Sequence, residues 1–438
     1  MPIHHLGEDM PALTNRRHKI LVAKLTLVLI SIFIYNCAQM PLYREEVYYH
    51  RIKYPIVRVK LLETKEKLQI SPDCSFVIKC YARKDKQKDS EYFSSTRIWL
   101  KSNQAGIAIG ANESDELEKN LQKAVIEPRG KNQWFYLNGK RYRGILEVNY
   151  SPQDTAALAL NLVYIEDYLK GVLPAEIGNW SEKELEALKA QAIAARTYAL
   201  NSLGSSKEEG YNLESTVADQ VYAGADYEDQ IANLAIKKTQ GMVLSYDGRF
   251  IKAHYHANCG GWTESIEEVW NKPPEPYLFS LGDDGFCSWA KNASWQESWS
   301  KEELEEIVST YLKAYQEVPQ GGIGKILDLQ VQKRSPSGRV SVLELKTDKK
   351  VFRLEKDNIR WVLRREKPPH PILPSTFFDI ELIRNPVGEL EKIIFRGSGN
   401  GHGVGMCQTG ALGRARAGHT YKAILSYYYR GAKVVKIY

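Results

Sequence analysis

Three places in this sequence carry side chains whose types and surroundings could do chemistry. The first is Glu176, a carboxylate set between Pro174-Ala175 and Ile177-Gly178. Apolar neighbours withdraw water from a carboxyl and raise its pKa, which suits a general acid working near neutrality. The alternative is a glutamate that charges the start of the helix that follows, worth about 0.3–1 kcal/mol. The second place is the pair Gln191 and Arg196 in an otherwise apolar helical stretch. A guanidinium buried there is costly unless a carboxylate or polar ligand pairs with it. The blander alternative is an arginine whose stem carries its charge to the surface. The third is Arg396–Gln408, RGSGNGHGVGMCQ, where five glycines crowd around His402. Such glycine density means tight bends or the close approach of a ligand. A histidine stripped of neighbouring side chains reads as a site or hydrogen-bonding residue rather than core filler. Cys407 with His402 is a formal nucleophile pair, although a packing role suits this small thiol better.

Other chemistries fall away. The glycine-rich run lacks the following lysine and the downstream acidic partner of a nucleotide site. GxSxG, HExxH and CxxC are absent, which removes the serine-hydrolase elbow, metalloprotease and zinc-finger readings.

The elements that must position these residues centre on Tyr168–Leu200. Ser181-Glu182-Lys183-Glu184 is a capping box, and Leu185, Leu188, Ala192, Ala195 and Ala199 recur at helical spacing. Ala187, Ala190, Ala194 and Tyr198 make the other face apolar too, so the helix is wrapped by protein. Upstream, from Arg51 to about Gln153, short strand patterns alternate with polar breaks, including Ile56–Leu61, Phe76–Tyr81 and a turn at Asn138-Gly139. Lys84–Ser90 and Ser114–Gln122 read as solvated loop or helix. Downstream, Tyr227–Gln240 reads as an amphipathic helix, and Met242–Tyr246, Asp247-Gly248 and Phe250–Tyr255 as strand, turn and strand. Ser300–Tyr315 is a second capped helix; Leu327–Val331, Val340–Lys346 and Val351–Leu354 are strands. The expected class is α+β: a mixed core, a mostly β N-terminal region and a β-rich lobe inserted before the Gly-His motif. The boundaries are 1–44, 45–153, 154–295, 296–395 and 396–438.

With 438 residues, 43% apolar and 26% charged, the chain is long enough for two or three domains and is not disordered. A net charge of +7 is mild for this length. It gives no reason to invoke nucleic acid and suits an anionic envelope polymer or a lipid surface. Arg16-Arg17-His18-Lys19 followed by the run Leu25–Tyr35 describes a secretory signal or a short membrane anchor. Cys37 ends that run in a poor lipoprotein cleavage box. The body of the protein is therefore expected outside the cytoplasm. There, a disulfide between Cys259 and Cys287 is the first expectation. Zinc bound with His254 or His256 is the second, and Cys407 is left over. Cys74 and Cys80 share a strand face but lie too far apart for easy bridging.

The segments YLKGVLPAEIGN, ALKAQAIAARTYAL, ADQVYAG, CGGWTESIEEVW and GHGVGMCQTGALGRARAG, followed by ILSYYYRGAKV, occur in one order. In this the chain resembles the stage II sporulation protein D / amidase-enhancer family, from about residue 140 to its last residue. The resemblance implies a lytic transglycosylase that cuts the N-acetylmuramic acid–N-acetylglucosamine bond of peptidoglycan strands already stripped of stem peptides. It leaves a 1,6-anhydro end. The family's catalytic acid falls on Glu176. One carboxylate suffices, because the sugar's own 6-hydroxyl attacks where other glycosidases use a second carboxylate. Arg196 and Tyr198 match an arginine and a tyrosine near the groove. Asp219, Gln220 and Tyr222 fit its second wall, and His402 and Gln408 match the C-terminal motif that supports the site.

No cofactor and no catalytic metal is required by that chemistry. Because some members bind zinc nearby, a structural zinc at His256, Cys259 and Cys287 stays open. Cys407 departs from the serine common at its position. The implied partners are glycan strands, a cell-wall amidase and, through the N-terminal segment, a membrane. Two other readings remain: a non-catalytic enhancer that binds wall glycan or an amidase, and a hydrolase with Asp219 as base.

Overall fold

A computed structural model describes residues 55–438 apart from 74, 83–89, 112–114, 130–133, 205–209 and 366–371. The basic start, the Leu25–Tyr35 run, Cys37, Cys74 and most of Lys84–Ser90 lie outside the described residues. No helix among the described residues is long and apolar enough to cross a membrane.

The fold is α+β, with a β-rich N-terminal region. Strands β1 (Ile56–Thr64), β2 (Leu68–Pro72), β3 (Ser75–Ala82), β4 (Ser90–Ser94), β5 (Ile98–Asn103), β6 (Gly106–Gly110), β7 (Glu116–Arg129), β8 (Trp134–Leu137), β9 (Lys140–Arg143), β10 (Ile145–Ser151) and β11 (Ala156–Tyr164) join with the later β12 (Leu213–Glu214). Their order in the sheet is β12-β1-β11-β10-β7-β6-β5-β2-β8-β9, with β3 on β7 and β4 on β3. Alternation drives the pairing: Val57 and Val59 of β1 are fully buried while Ile56 is exposed. Asn138 and Gly139 both take positive φ and close the β8–β9 hairpin, as a type I′ turn requires.

One expectation upstream is corrected. Residues 116–122 are neither loop nor helix but the first half of β7. Most of their side chains are exposed, while Glu118 accepts the Ser90 and Tyr92 hydroxyls and Leu121 begins the buried alternation.

The chain leaves β11 directly into α1 (Ile165–Ile177), which contains Pro174 in its last turn. Gly178 ends it at φ 86°, donating its N–H to Pro174 O at 3.0 Å. Glu176 therefore closes one helix rather than opening the next, which corrects the helix-start alternative. The capping box forms as expected: Glu184 accepts the Ser181 N–H at 3.2 Å and the Ser181 hydroxyl accepts that of Lys183 at 3.3 Å. It leads through a 3-10 turn into α2 (Leu185–Ser202), which is buried on nearly every side. Short alanine side chains let α1 and α3 (Gln230–Lys238) pack closely against it.

Beyond β13 (Met242–Tyr246) the Asp247-Gly248 turn forms, but its return strand β14 is only Arg249–Phe250. The chain then crosses away, and β15 (Tyr255–His256) pairs in parallel with β22 (Met406–Cys407). Between them lies a lobe with a hydrophobic core of its own, from Trp299 to Phe395. It holds β16 (Ser294–Ser300), α4 (Lys301–Tyr311), β17 (Ile326–Arg334), β18 (Val340–Thr347), β19 (Val351–Glu355), β20 (Phe378–Arg384) and β21 (Leu390–Ser398). Helices α5 (Gln408–Arg416) and α6 (Tyr421–Tyr428) return to α2, and β23 (Lys433–Lys436) closes on β13. Residues 53–438 form one compact unit.

Candidate active site

Glu176 occupies the last turn of α1, half-buried, at the end of the helix where the macrodipole opposes negative charge. Burial raises its pKa to about 7. Two groups pull the other way: the Val221 N–H, which donates to Oε1 at 2.5 Å, and the amide of Gln408. Among the described residues the Gln408 Nε2 completes no hydrogen bond of ordinary geometry. The carboxyl is thus poised between its two protonation states near neutrality.

The segment Asp219-Gln220-Val221 fixes this arrangement through three consecutive residues. Asp219 accepts the Tyr198 hydroxyl at 3.0 Å on one oxygen and the Glu214 N–H at 2.9 Å on the other. Gln220, fully buried, accepts the Tyr168 hydroxyl at 3.2 Å and donates to the Tyr255 hydroxyl at 2.8 Å and to Ala195 O at 3.3 Å. Val221 then holds Glu176. Burial and the nearby Glu176 carboxyl keep Tyr168 and Tyr255 well above the ordinary phenol range, so both remain neutral, Tyr168 donating to Gln220 and Tyr255 accepting from it. Sequence reasoning missed Tyr168 and Tyr255; each sits in a motif already singled out, one residue type among many that look like core.

Not every expected residue faces the carboxyl. Arg196 is completely enclosed: Nε and Nη2 donate to Glu166 at 2.8 and 2.7 Å, and Nη1 to Met242 O at 3.1 Å. The pairing demanded by its burial is met inside the fold. Tyr222 is 5% exposed, donates to Asn161 Oδ1 at 2.9 Å, and leans on Tyr168 with ring centroids 4.9 Å apart.

From the C-terminal motif, His402 reaches a cluster of rings. Its ring lies 6.0 Å from that of His254, 5.6 Å from that of His256 and 5.0 Å from that of Trp270. The Val404 N–H donates to His402 Nδ1 at 3.0 Å, so the proton of the neutral ring sits on Nε2. Burial, then the neighbouring histidines, hold His402 well below its ordinary pKa, and burial pushes His254 and His256 down to about 3. His254 packs edge-on to Tyr198 at 5.6 Å, which links the cluster to the Asp219 clamp. The glycines are explained by crowding. A Cβ on Gly405, at φ 73°, would lie 2.0 Å from His254 O.

The cysteines differ from expectation. Cys259 and Cys287 do not form an isolated pair, and Cys407 is not left over. All three thiols and the Asp283 carboxyl converge, each offering one donor atom within 4.8 Å of the others, and all four residues are buried. The sulfurs of Cys259 and Cys287 are 3.5 Å apart, outside bonding distance. His254 and His256 are not in this group.

Comparison with known proteins adds an independent finding. A family model described as "Stage II sporulation protein" matches residues 153–246, and one described only as a domain of unknown function matches 288–405. An uncharacterised protein of Brachyspira hyodysenteriae is 30% identical over 87% of this chain and 93% of its own. The amidase enhancer of Bacillus subtilis is 32% identical over 67% of this chain, which spans only 44% of that larger protein. Stage II sporulation protein D of Bacillus subtilis is 29% identical over 64% of this chain and 77% of its own.

Proposed function

The chain belongs to the stage II sporulation protein D family, and from that premise we propose that it is a peptidoglycan lytic transglycosylase with Glu176 as its acid and base. The observation that carries the reading is a carboxyl in the last turn of α1 that accepts the Val221 N–H and whose pKa burial raises to about 7. A glycosidic oxygen needs a proton as its bond breaks, and a carboxylic acid poised near ambient pH supplies it. Glu176 gives its proton to the oxygen leaving C1 of N-acetylmuramic acid. The carboxylate so formed stabilises the positive charge developing on the sugar. It then removes the proton of the 6-hydroxyl as that oxygen closes on C1, giving the 1,6-anhydro product and restoring the acid. No water is consumed, and no second carboxylate is needed.

The remaining residues act around this group. Val221 and Gln408 keep the carboxyl from being so disfavoured as an anion that it cannot serve as the base. Tyr198, with Asp219 behind it, lies close enough to feel the Glu176 charge, and His402 connects to it through His254. Arg196 is a positioning residue: through Glu166 it fixes the start of the helix that Glu176 ends. Glycan strands of the wall, free of stem peptides, are the substrate class, and an N-terminal signal or anchor would hold the chain at the envelope.

A second reading is favoured by the relative named amidase enhancer: the chain binds glycan or a cell-wall amidase without cutting. One digestion separates the readings. Full-length protein and Glu176→Gln are incubated with peptide-free strands, and products are read by mass. Anhydro ends from the wild type alone carry the transglycosylase; reducing ends point to a hydrolase with Asp219 as base. Binding by both proteins without cleavage points to the enhancer.

A further inference from the structure

We infer that Cys259, Cys287, Cys407 and Asp283 form a four-coordinate zinc site that ties the C-terminal motif to the rest of the core. The inference stands whether the protein cuts glycan or only binds it, because it rests on a separate set of side chains.

Four donor atoms within 4.8 Å of one another fit a single ion. Zinc–sulfur bonds of about 2.3 Å in a tetrahedron put sulfurs about 3.8 Å apart, and Cys259 and Cys287 already stand at 3.5 Å. An iron–sulfur cluster would need its thiolates spread further. A disulfide uses two of the three thiols and leaves the third, with a buried carboxyl, facing it. Zinc uses all four.

The surroundings are those of a metal thiolate. Cys407 Sγ accepts two backbone N–H groups, from Cys259 at 3.3 Å and from Gly410 at 3.2 Å. It is also the N-cap of α5, where the helix dipole favours negative charge. Asp283 presents one oxygen to the Tyr428 hydroxyl at 2.7 Å, which fixes its orientation as an outer-shell partner does. Its other oxygen, Oδ2, is buried and completes no hydrogen bond of ordinary geometry among the described residues, with the Cys287 thiol as the neighbour it acts on. A buried carboxylate oxygen served only by a thiol is poorly satisfied, and a cation resolves it. Three thiolates and a carboxylate around Zn²⁺ leave a net negative charge, and Arg414 lies against it. Arg414 donates to Asp283 O at 3.2 Å and to Asp284 Oδ2 at 3.1 Å. Binding releases the three thiol protons and needs no oxidant.

The role follows from where the ligands sit. Cys259 follows β15, Cys407 ends β22, and Asp283 and Cys287 flank a loop between β15 and the lobe. One ion therefore joins three segments, and Gln408, the residue after a ligand, faces Glu176.

The test uses the full-length chain. Metal analysis is expected to find one zinc per chain, and replacement by Co²⁺ to give thiolate-to-cobalt charge-transfer absorption that Cys407→Ser loses. In competition with a chromophoric chelator, Tyr428→Phe is expected to weaken zinc binding roughly 10–100-fold, the usual cost of an outer-shell loss. Since a ligand variant can fail to fold, the wild type carries the decisive arm: iodoacetamide labelling resolved by peptide. Zinc is expected to protect Cys259, Cys287 and Cys407, and chelation without reductant to open all three. A disulfide-linked Cys259–Cys287 peptide overturns the site. So does equal labelling of the three with and without zinc.

Discussion

Arg196 and Glu166 meet in a two-point ion pair, Nε to Oε1 at 2.8 Å and Nη2 to Oε2 at 2.7 Å, with the arginine wholly out of water. Glu166 also accepts the Tyr438 hydroxyl at 2.5 Å, so the pair joins α1, α2 and the C-terminus. Removing one partner strands the other charge. Arg196→Ala is expected to cost about 3–5 kcal/mol of stability, read by denaturant unfolding. Arg196→Lys should recover part of it, and strands should bind normally to whatever fraction stays folded. A variant that keeps full stability but loses only glycan binding would move Arg196 from the framework to the groove.

Glu176 makes stability fall as pH rises. Its folded pKa is raised from 4.5 to about 7. Below pH 4.5 the carboxyl is neutral in both states; between 4.5 and 7 the unfolded chain ionises first, and above 7 the penalty is complete. At about 1.4 kcal/mol per unit this amounts to roughly 2–4 kcal/mol. Glu176→Gln should therefore be more stable than the wild type at pH 8 and equal to it at pH 4, while abolishing strand cleavage. Wild-type cleavage should decline above about pH 7 as the acid loses its proton. Identical unfolding curves for the two proteins at pH 8 would show the carboxyl to be solvated.

Gln220 sits fully buried between two phenols and a carbonyl, and its neighbour supplies the hydrogen bond to Glu176. Gln220→Ala should cost about 2–3 kcal/mol through unpaired buried groups. Loosening the Val221 N–H removes support for the anion, so the alkaline limb of the pH–rate profile should move upward. An unchanged limb would mean that the Val221 bond does not act on Glu176.

Gly405→Ala forces a methyl group to within 2.0 Å of a backbone oxygen at a positive φ. The β15–β22 bridge would have to part, with a loss of more than about 2 kcal/mol. Thermal unfolding checks this directly, with Gly388→Ala as comparison, since its Cβ meets nothing within 4 Å.

Local signals were the ones the sequence carried in readable form. The Ser181–Glu184 and Ser300–Glu303 capping boxes and the Asn138-Gly139 and Asp247-Gly248 turns form from residues that satisfy each other across a few positions. Helix α1 was hidden because Pro174 reads as a break, although a proline in the last turn forfeits only one bond. The first half of β7 was hidden because a solvated strand face looks like loop. Glu176 was legible from its apolar flanks, but the Gln220 clamp was not, since its partners lie 25 to 52 residues away. The three-thiol cluster depends on β15 finding β22, a tertiary event with no local signature.

That parallel bridge also sets a timetable. Cys259 and Cys407 are separated by 148 residues, and the whole β-rich lobe lies between them. A chain emerging N-terminus first carries Glu176 long before Gln408 exists to meet it, and the late contact is slow to find. The half-made molecule thus holds an acid without its surroundings. On the proposed function, the acid stays incomplete until the last tenth of the chain has arrived.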